Sequence, residues 1–268
     1  MNKKGKSTLE KLNNNLRVKN YAKNTIDIYL HYSEVFLNSF NKDIYHISMN
    51  EARKFLINYN YTSTSQQNQF ISSIKLLYKY VIGIPLNMKY LERPRKEKPL
   101  PKVIEKEFLK NQISKIKNLK HKAIISLGFS VGLRVSEVIN LKIEDIDSKR
   151  MIIHIRNAKG NKDRIVPLSM YILELLREYF KEFKPKVYLF NGQNSLTYTS
   201  NSCNKIVKKY VGQQYHFHCL RHSSFTSMLE DKTDISIIQK IAGHKNPKTT
   251  LIYTQISNEL LKKAKLPL

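Results

Sequence analysis

Three prolines within eight residues, Pro94, Pro99 and Pro101, constrain this 268-residue chain more than any other feature. Proline fixes its own φ, removes a backbone donor and disfavours helix in the residue before it, so LERPRKEKPLPKV reads as an extended segment. Apolar stripes at helical spacing occur on both sides of it, and each set needs a core of its own. The reading is therefore two domains, residues 1–90 and 104–268, joined by a basic linker over 91–103.

Residues 8–83 read as a bundle of four or five short helices without strand alternation. Leu9, Leu12 and Leu16 mark one stripe. Ile26, Tyr29, Leu30, Phe36, Leu37 and Phe40 mark a second, with Asn24 as its candidate N-cap. Ser48 and Glu51 have capping-box spacing ahead of Ala52, Phe55 and Leu56. The last stripe, from Phe70 to Val81, stops near Gly83. Beyond the linker the pattern is mixed. Helical spacing covers roughly 105–118, 121–130, 134–142, 169–183, 200–210, 219–230, 234–242 and 248–263. Met151–Arg156 and Arg164–Leu168 read as two strands joined by the turn-rich NAKGNKD. The fold class is mainly α with a small β-hairpin.

Forty-seven Lys and Arg against 21 Asp and Glu leave a net charge of +26, spread over the chain and not gathered in a tail. A folded basic protein with 10% aromatic residues points to a polyanionic partner, of which nucleic acid is the commonest. No apolar run approaches the ~18 residues of a membrane span, and the basic start MNKKGKSTLEKL lacks the apolar stretch of a signal peptide. Cys203 and Cys219 are the two cysteines, too few for a disulfide scaffold. A cytoplasmic protein with no membrane partner is expected.

Five short polar motifs follow in order through the second half: Arg134 in GLRVSEVINL, Lys159 in AKGNKDRIVPL, His218 and Arg221 in HCLRHSSF, His244 in AGHKNPKTT, and Tyr253 in LIYTQIS. Breaking a phosphodiester with a protein nucleophile requires three things. Charge on the non-bridging oxygens must be neutralised, a proton taken from the attacking group and a proton given to the leaving oxygen. Arginine suits the first task because its planar fork grips phosphate and stays charged. Arg221 follows His218 by three residues, which puts both on one helical face or at the helix entry. Lys159 falls at the hairpin tip, with Lys162 in the same turn as its competitor. A phenol, with a pKa near 10, attacks only where positive charge and a base ease its deprotonation, and Tyr253 is one of 16 tyrosines. His218 and His222 have the spacing of zinc-binding helices, but neither a CxxC pair nor HExxH accompanies them. No metal and no cofactor are expected.

On these strings the chain closely resembles the tyrosine recombinases, the phage-integrase and Xer-type site-specific DNA recombinases. The order and spacing of the motifs agree, including the nine residues from His244 to Tyr253, and residues 8–83 resemble the family's SAM-like helical core-binding domain. The resemblance implies that Tyr253 attacks the scissile phosphate to form a 3′-phosphotyrosyl link. Arg134 and Arg221 would clamp the phosphate and Lys159 would protonate the leaving 5′-oxygen. His218 would accept the tyrosine proton, His244 would hydrogen-bond the phosphate, and Glu137 would orient the site. It further implies that the two domains close around duplex DNA carrying a specific recombination site. A homotetramer on two DNA sites would be held by a C-terminal exchange segment containing Leu260 and Leu261. Accessory proteins can assist, and ATP is not used. The start of the chain, directly at the core-binding helices, suggests a compact recombinase without an arm-binding domain. Two positions depart from the family pattern: Phe217 stands where proline is frequent, and Ala158 where glycine is frequent. Two other readings share features with this one, a DNA-binding relative without catalysis and a type IB topoisomerase-like enzyme that only relaxes supercoils.

Overall fold

The computed structural model describes residues 3–84, 93–94, 100–156, 163–193, 195–244 and 246–256. The chain divides into two compact units, Met1–Lys98 and Pro99–Leu268.

The first unit is helical: α1 (Lys3–Val18), α2 (Lys23–Asn38), α3 (Met49–Asn58) and α4 (Thr64–Leu77). A π-helical turn, Tyr78–Ile82, prolongs α4 and ends at Gly83. Leu12 and Leu16 of α1, Phe36 of α2, Leu56 of α3, and Phe70, Ile74 and Leu77 of α4 meet in one core. Aromatic rings fill much of it, with Phe36 edge-on to Phe55 at 5.2 Å and Phe55 tilted against Phe70 at 5.8 Å. Ser73 donates to the carbonyl of Tyr29, so Ser33, 2.8 Å from Ser73, donates in turn to it, and the chain of hydroxyls is satisfied. The capping box is present: the Ser48 hydroxyl accepts from the Glu51 amide, and Glu51 accepts from the Ser48 amide. Asn24 does not cap α2. The helix begins one residue before it, after Ala22, whose side chain has nothing to donate or accept.

The second unit contains α5 (Lys106–Ser114), α6 (Leu119–Ser130) and α7 (Val135–Ile139), then β1 (Ile146–Asp147), β2 (Ile152–Ile155) and β3 (Arg164–Pro167). It continues through α8 (Met170–Phe183), α9 (Ser200–Tyr210), α10 (Phe217–Glu230), α11 (Ile235–Ala242) and α12 (Lys248–Ile256). The sheet is antiparallel in the order β1-β2-β3, with Ile153 opposite Val166 and Ile155 opposite Arg164. The mainly α fold with a small sheet is thus borne out, with a third, two-residue strand beside the expected pair.

Two boundaries differ from the sequence reading, each for a non-local reason. The helix expected over 134–142 is only α7. Leu141 and Ile143 turn their backbone to another segment, where Leu189 donates to the Leu141 carbonyl at 2.7 Å and Ile143 to that of Val187 at 3.1 Å. α10 begins at Phe217, two residues early, because its amide is satisfied across the fold by Asn204 Oδ1 of α9 at 2.9 Å. Proline at that position could not make this bond, whereas any other residue, phenylalanine included, can. α12 is described to Ile256, and residues 257–263 of that expected helix lie outside the described residues.

α6 lies at the centre of this unit, with Ala123 through Gly128 all buried, and packs against α8 and α10. α10 is in turn flanked by α11 and α12. Its buried face carries an unusual run of polar residues, including Arg221, Ser223, Ser224, Thr226 and Ser227. Among the described residues no helix is long and apolar enough to cross a membrane.

Candidate active site

Helical geometry brings His218, Arg221, His222 and Phe225 onto one side of α10. Arg221 is 1% exposed, the most buried charged side chain among the described residues. An unpaired buried guanidinium would be costly, and the fold answers with acceptors. Nη1 donates to the carbonyl of Gly132, and Nη2 to the carbonyl of Ala242 at 2.6 Å and to His244 Nε2 at 3.1 Å. The guanidinium also lies over the Phe225 ring, 4.7 Å from its centroid. Burial, followed by the charge of Arg134, brings its pKa down to about 9, which still leaves it cationic at neutral pH.

Two glycines make room for this arrangement. Gly132 has φ +62, and a Cβ there would fall 2.6 Å from the Phe225 ring. Gly243 ends α11 at φ +61, where a Cβ would meet Arg164 Cδ at 2.9 Å. Both are left-handed positions that favour glycine, and each lets the chain pass close to an arginine or the ring beneath it.

Arg134 caps the start of α7 and is tied to the carboxylate one turn on. Its amide donates to Glu137 Oε2 at 2.8 Å and its Nη1 to Oε1 at 2.8 Å. The same carboxylate receives a two-pronged grip from Arg164, at 2.8 and 2.9 Å, whose Nε donates to the Ile241 carbonyl at 2.8 Å. Burial alone would raise the Glu137 carboxyl, but Arg164 and then Arg134 outweigh it and hold the pKa at about 2. Glu137 is therefore ionised throughout the useful pH range. It holds the amide and one guanidinium nitrogen of Arg134 while leaving that side chain partly open to solvent, at 22%.

Tyr253 is carried by α12 and is 2% exposed. Its ring touches Phe225 edge-on at 5.4 Å, lies 5.8 Å from that of His222 and runs nearly parallel to that of His244 at 6.3 Å. His222 in turn meets His218 edge-on at 4.5 Å. Burial raises the Tyr253 phenol above its usual pKa, while Arg221 and Arg134 pull it the other way. Burial, reinforced by neighbouring positive charges, depresses His218, His222 and His244 to about 4 each. All three imidazoles are thus neutral near pH 7 and able to accept a proton. The site offers two cations, a ring of neutral bases and one phenol.

Of the residues singled out in the sequence, Arg134, His218, Arg221, His244 and Tyr253 converge on this one region. Lys159 and its competitor Lys162 lie outside the described residues, as do Leu260 and Leu261 of the tail. Among the described residues, no three His, Cys, Asp or Glu side chains are placed to hold a metal ion, and Cys219 instead lies 3.2 Å from His216 Nδ1. Sequence reasoning missed Arg164, the strand-initial arginine of DRIVPL, and Thr250, whose hydroxyl is 2.9 Å from His244 Nδ1.

Comparison with known proteins decides the family. The phage integrase family pattern matches residues 102–259, and the phage integrase N-terminal SAM-like domain matches residues 8–88. The tyrosine recombinase XerA of Pyrococcus horikoshii is 35% identical over 96% of this chain and 91% of its own length. The chain belongs to the phage integrase family. The relatives of this phage integrase family member also include tyrosine recombinase XerC of Staphylococcus aureus, 29% identical over 91% of this chain and 93% of that protein. Among solved structures, XerA recombinase matches with a TM-score of 0.56 and 27% identity over 97% of this chain and 96% of its own. XerH site-specific recombinase bound to palindromic difH substrate, a post-cleavage complex, matches in fold with a TM-score of 0.71 at 22% identity. That match covers 90% of this chain and 78% of XerH.

Proposed function

We propose that this phage integrase family member, a site-specific tyrosine recombinase, cleaves and rejoins duplex DNA with Tyr253 as its nucleophile. The observation that carries the reading is the convergence of Arg134, Arg221 and three neutral imidazoles around one buried phenol. The Tyr253 oxygen attacks the scissile phosphorus, and its proton passes to His218, which is neutral near pH 7. The bond from phosphorus to the 5′-oxygen breaks, and that oxygen takes a proton from Lys159. Arg134 and Arg221 neutralise the non-bridging oxygens as charge builds on them, which is where preorganised donors lower a barrier most. The products are a 3′-phosphotyrosyl link and a free 5′-hydroxyl.

Attack by the 5′-hydroxyl of a partner strand reverses these steps and releases Tyr253. One phosphoester is exchanged for another at each stage, so the sequence of reactions consumes no ATP. Charge neutralisation is assigned to guanidinium groups, so it calls for no metal ion. The helical domain, residues 1–90, supplies further duplex contacts, with the linker 91–103 adding phosphate neutralisation and residues 104–268 the chemistry. Two DNA sites and a homotetramer, joined through the segment after Ile256, complete the reaction in the cytoplasm, with or without accessory proteins. Affinity falls with salt at a log–log slope of about −0.9 per phosphate contacted.

A nicked suicide duplex tests the assignment, because a 5′-hydroxyl lost by diffusion traps the covalent intermediate. The wild-type protein should accumulate a denaturant-resistant adduct, and Tyr253→Phe should form none while binding the duplex with unchanged affinity. Persistence of the adduct in that variant would transfer the nucleophile to another side chain.

A further inference from the structure

Glu137 has every acceptor position filled. Its Oε1 receives Nη1 of Arg134 and Nη1 of Arg164, both at 2.8 Å, and its Oε2 receives the Arg134 amide at 2.8 Å and Nη2 of Arg164 at 2.9 Å. An ionised carboxylate has about four such positions, so none is left over, and the group cannot turn without breaking bonds on both oxygens. Arg164 supplies half of these bonds from another element. It opens β3, the strand after the segment that carries Lys159, and its side chain is 10% exposed. Its Nε donates to the Ile241 carbonyl at 2.8 Å, next to the Ala242 carbonyl that receives Nη2 of Arg221. Two arginines thus hold consecutive carbonyls at the end of α11.

The charges matter as much as the bonds. A carboxylate with nothing else beside it takes an arginine side by side, through two parallel hydrogen bonds, and cancels its charge. With one position on each oxygen occupied by Arg164, Glu137 reaches only Nη1 of the Arg134 guanidinium. Two guanidiniums around one carboxylate leave the group of three with a net positive charge, whereas Glu137 and Arg134 alone would be neutral. We infer that Arg164 is a positioning residue, whose hold on Glu137 keeps that carboxylate from capturing Arg134 and leaves the Arg134 guanidinium free to grip the phosphate. This rests on the role of Arg134 proposed above. The state of Glu137 agrees with it: burial pushes the carboxyl up, yet Arg164 and then Arg134 hold it at about 2, so it stays ionised and able to capture a cation.

The test is a rescue. On the nicked suicide duplex, with the full chain at saturating concentration, Arg164→Met should form the adduct about 10–100-fold more slowly, the scale on which a functional group loses a partner that orients it. Adding Glu137→Gln removes the negative charge, so the double variant should cleave faster than Arg164→Met alone. A role confined to holding the fold together predicts the reverse, because the second change weakens the same network further. Arg164→Met cleaving at the wild-type rate, or a double variant no faster than the single one, would overturn the inference. Arg164→Lys, which keeps the cation and loses the fork, carries the same comparison should the methionine variant fail to fold. It too should be slowed, and quickened again by Glu137→Gln. Arg134→Ala run alongside keeps the two readings apart. An unslowed adduct there sinks the role of Arg134, whereas a severe loss there beside an unrescued double variant sinks only that of Arg164.

Discussion

Among the described residues, the helical unit buries Thr8, Ser33 and Ser73, all hydroxyls, while the second unit buries Arg221, Glu137 and Asp145 along with six serine and threonine side chains. The first is built on interlocking rings, with Phe36 in contact with Phe40, Phe55 and Tyr78. The second threads a polar seam through its middle, along α10, at the point where an apolar core would hold best. Ser126, Ser224 and Thr226 and the Nδ1 of His222 lie buried there without a hydrogen-bond partner. Unsatisfied buried polar atoms destabilise by about 1–3 kcal/mol each. The contrast is between a unit cored by aromatic rings and one whose core also carries charged and hydroxyl side chains.

That contrast can be broken or sharpened by experiment. The largest effect expected is on chemistry: Arg221→Ala should slow adduct formation by about a thousandfold, on the scale of losing one preorganised donor to a developing oxyanion. Cleavage near the wild-type rate would mean that the seam does not serve the phosphate. Next comes Phe36→Ala, in the ring-packed unit. It should lower the stability of that unit by about 3–5 kcal/mol, seen as faster hydrogen exchange confined to residues before the linker. The rate of cleavage per bound complex should be unchanged, and a slowed chemical step would erase the division of labour. The last effect is with pH. His218, His222 and His244 titrate at 6.5 when unfolded and at about 4 in the folded protein, so the folded state takes up fewer protons between those values. Stability is fully present above pH 6.5 and lost as pH falls through that window. Exchange in the second unit should therefore accelerate between pH 7 and pH 5 relative to the first, whose His31 and His46 are exposed. Equal acceleration in both units would remove the buried imidazoles as the cause.

Much of this was legible in the chain. The apolar stripes of α2, α3 and α4, the capping box at Ser48 and the strand pair all obey local rules, and local rules can be read from spacing. Four of the five motifs, all but that of Lys159, also showed which residues the fold would gather. What could not be read is set by contacts distant in sequence. Arg164 looks like any strand residue until β3 places it against Glu137, 27 positions earlier. Leu141 continues a helical pattern but bonds to Leu189 instead. Thr249 and Thr250 are alike as letters, and only the packing of α12 on its neighbours decides which one reaches an imidazole. Asn24 failed for a simpler reason, since a good capping residue is useful only at the position where the helix starts.

Gly132 carries the last lesson. It has no functional group, yet its carbonyl anchors Arg221, and the space a methyl would occupy is filled by the ring on which that cation rests. Even the smallest substitution would push ring and guanidinium together and shift the anchor they share. The aim of the most buried charge among the described residues is thus governed by a side chain that is not there, and a survey of reactive groups alone would overlook it.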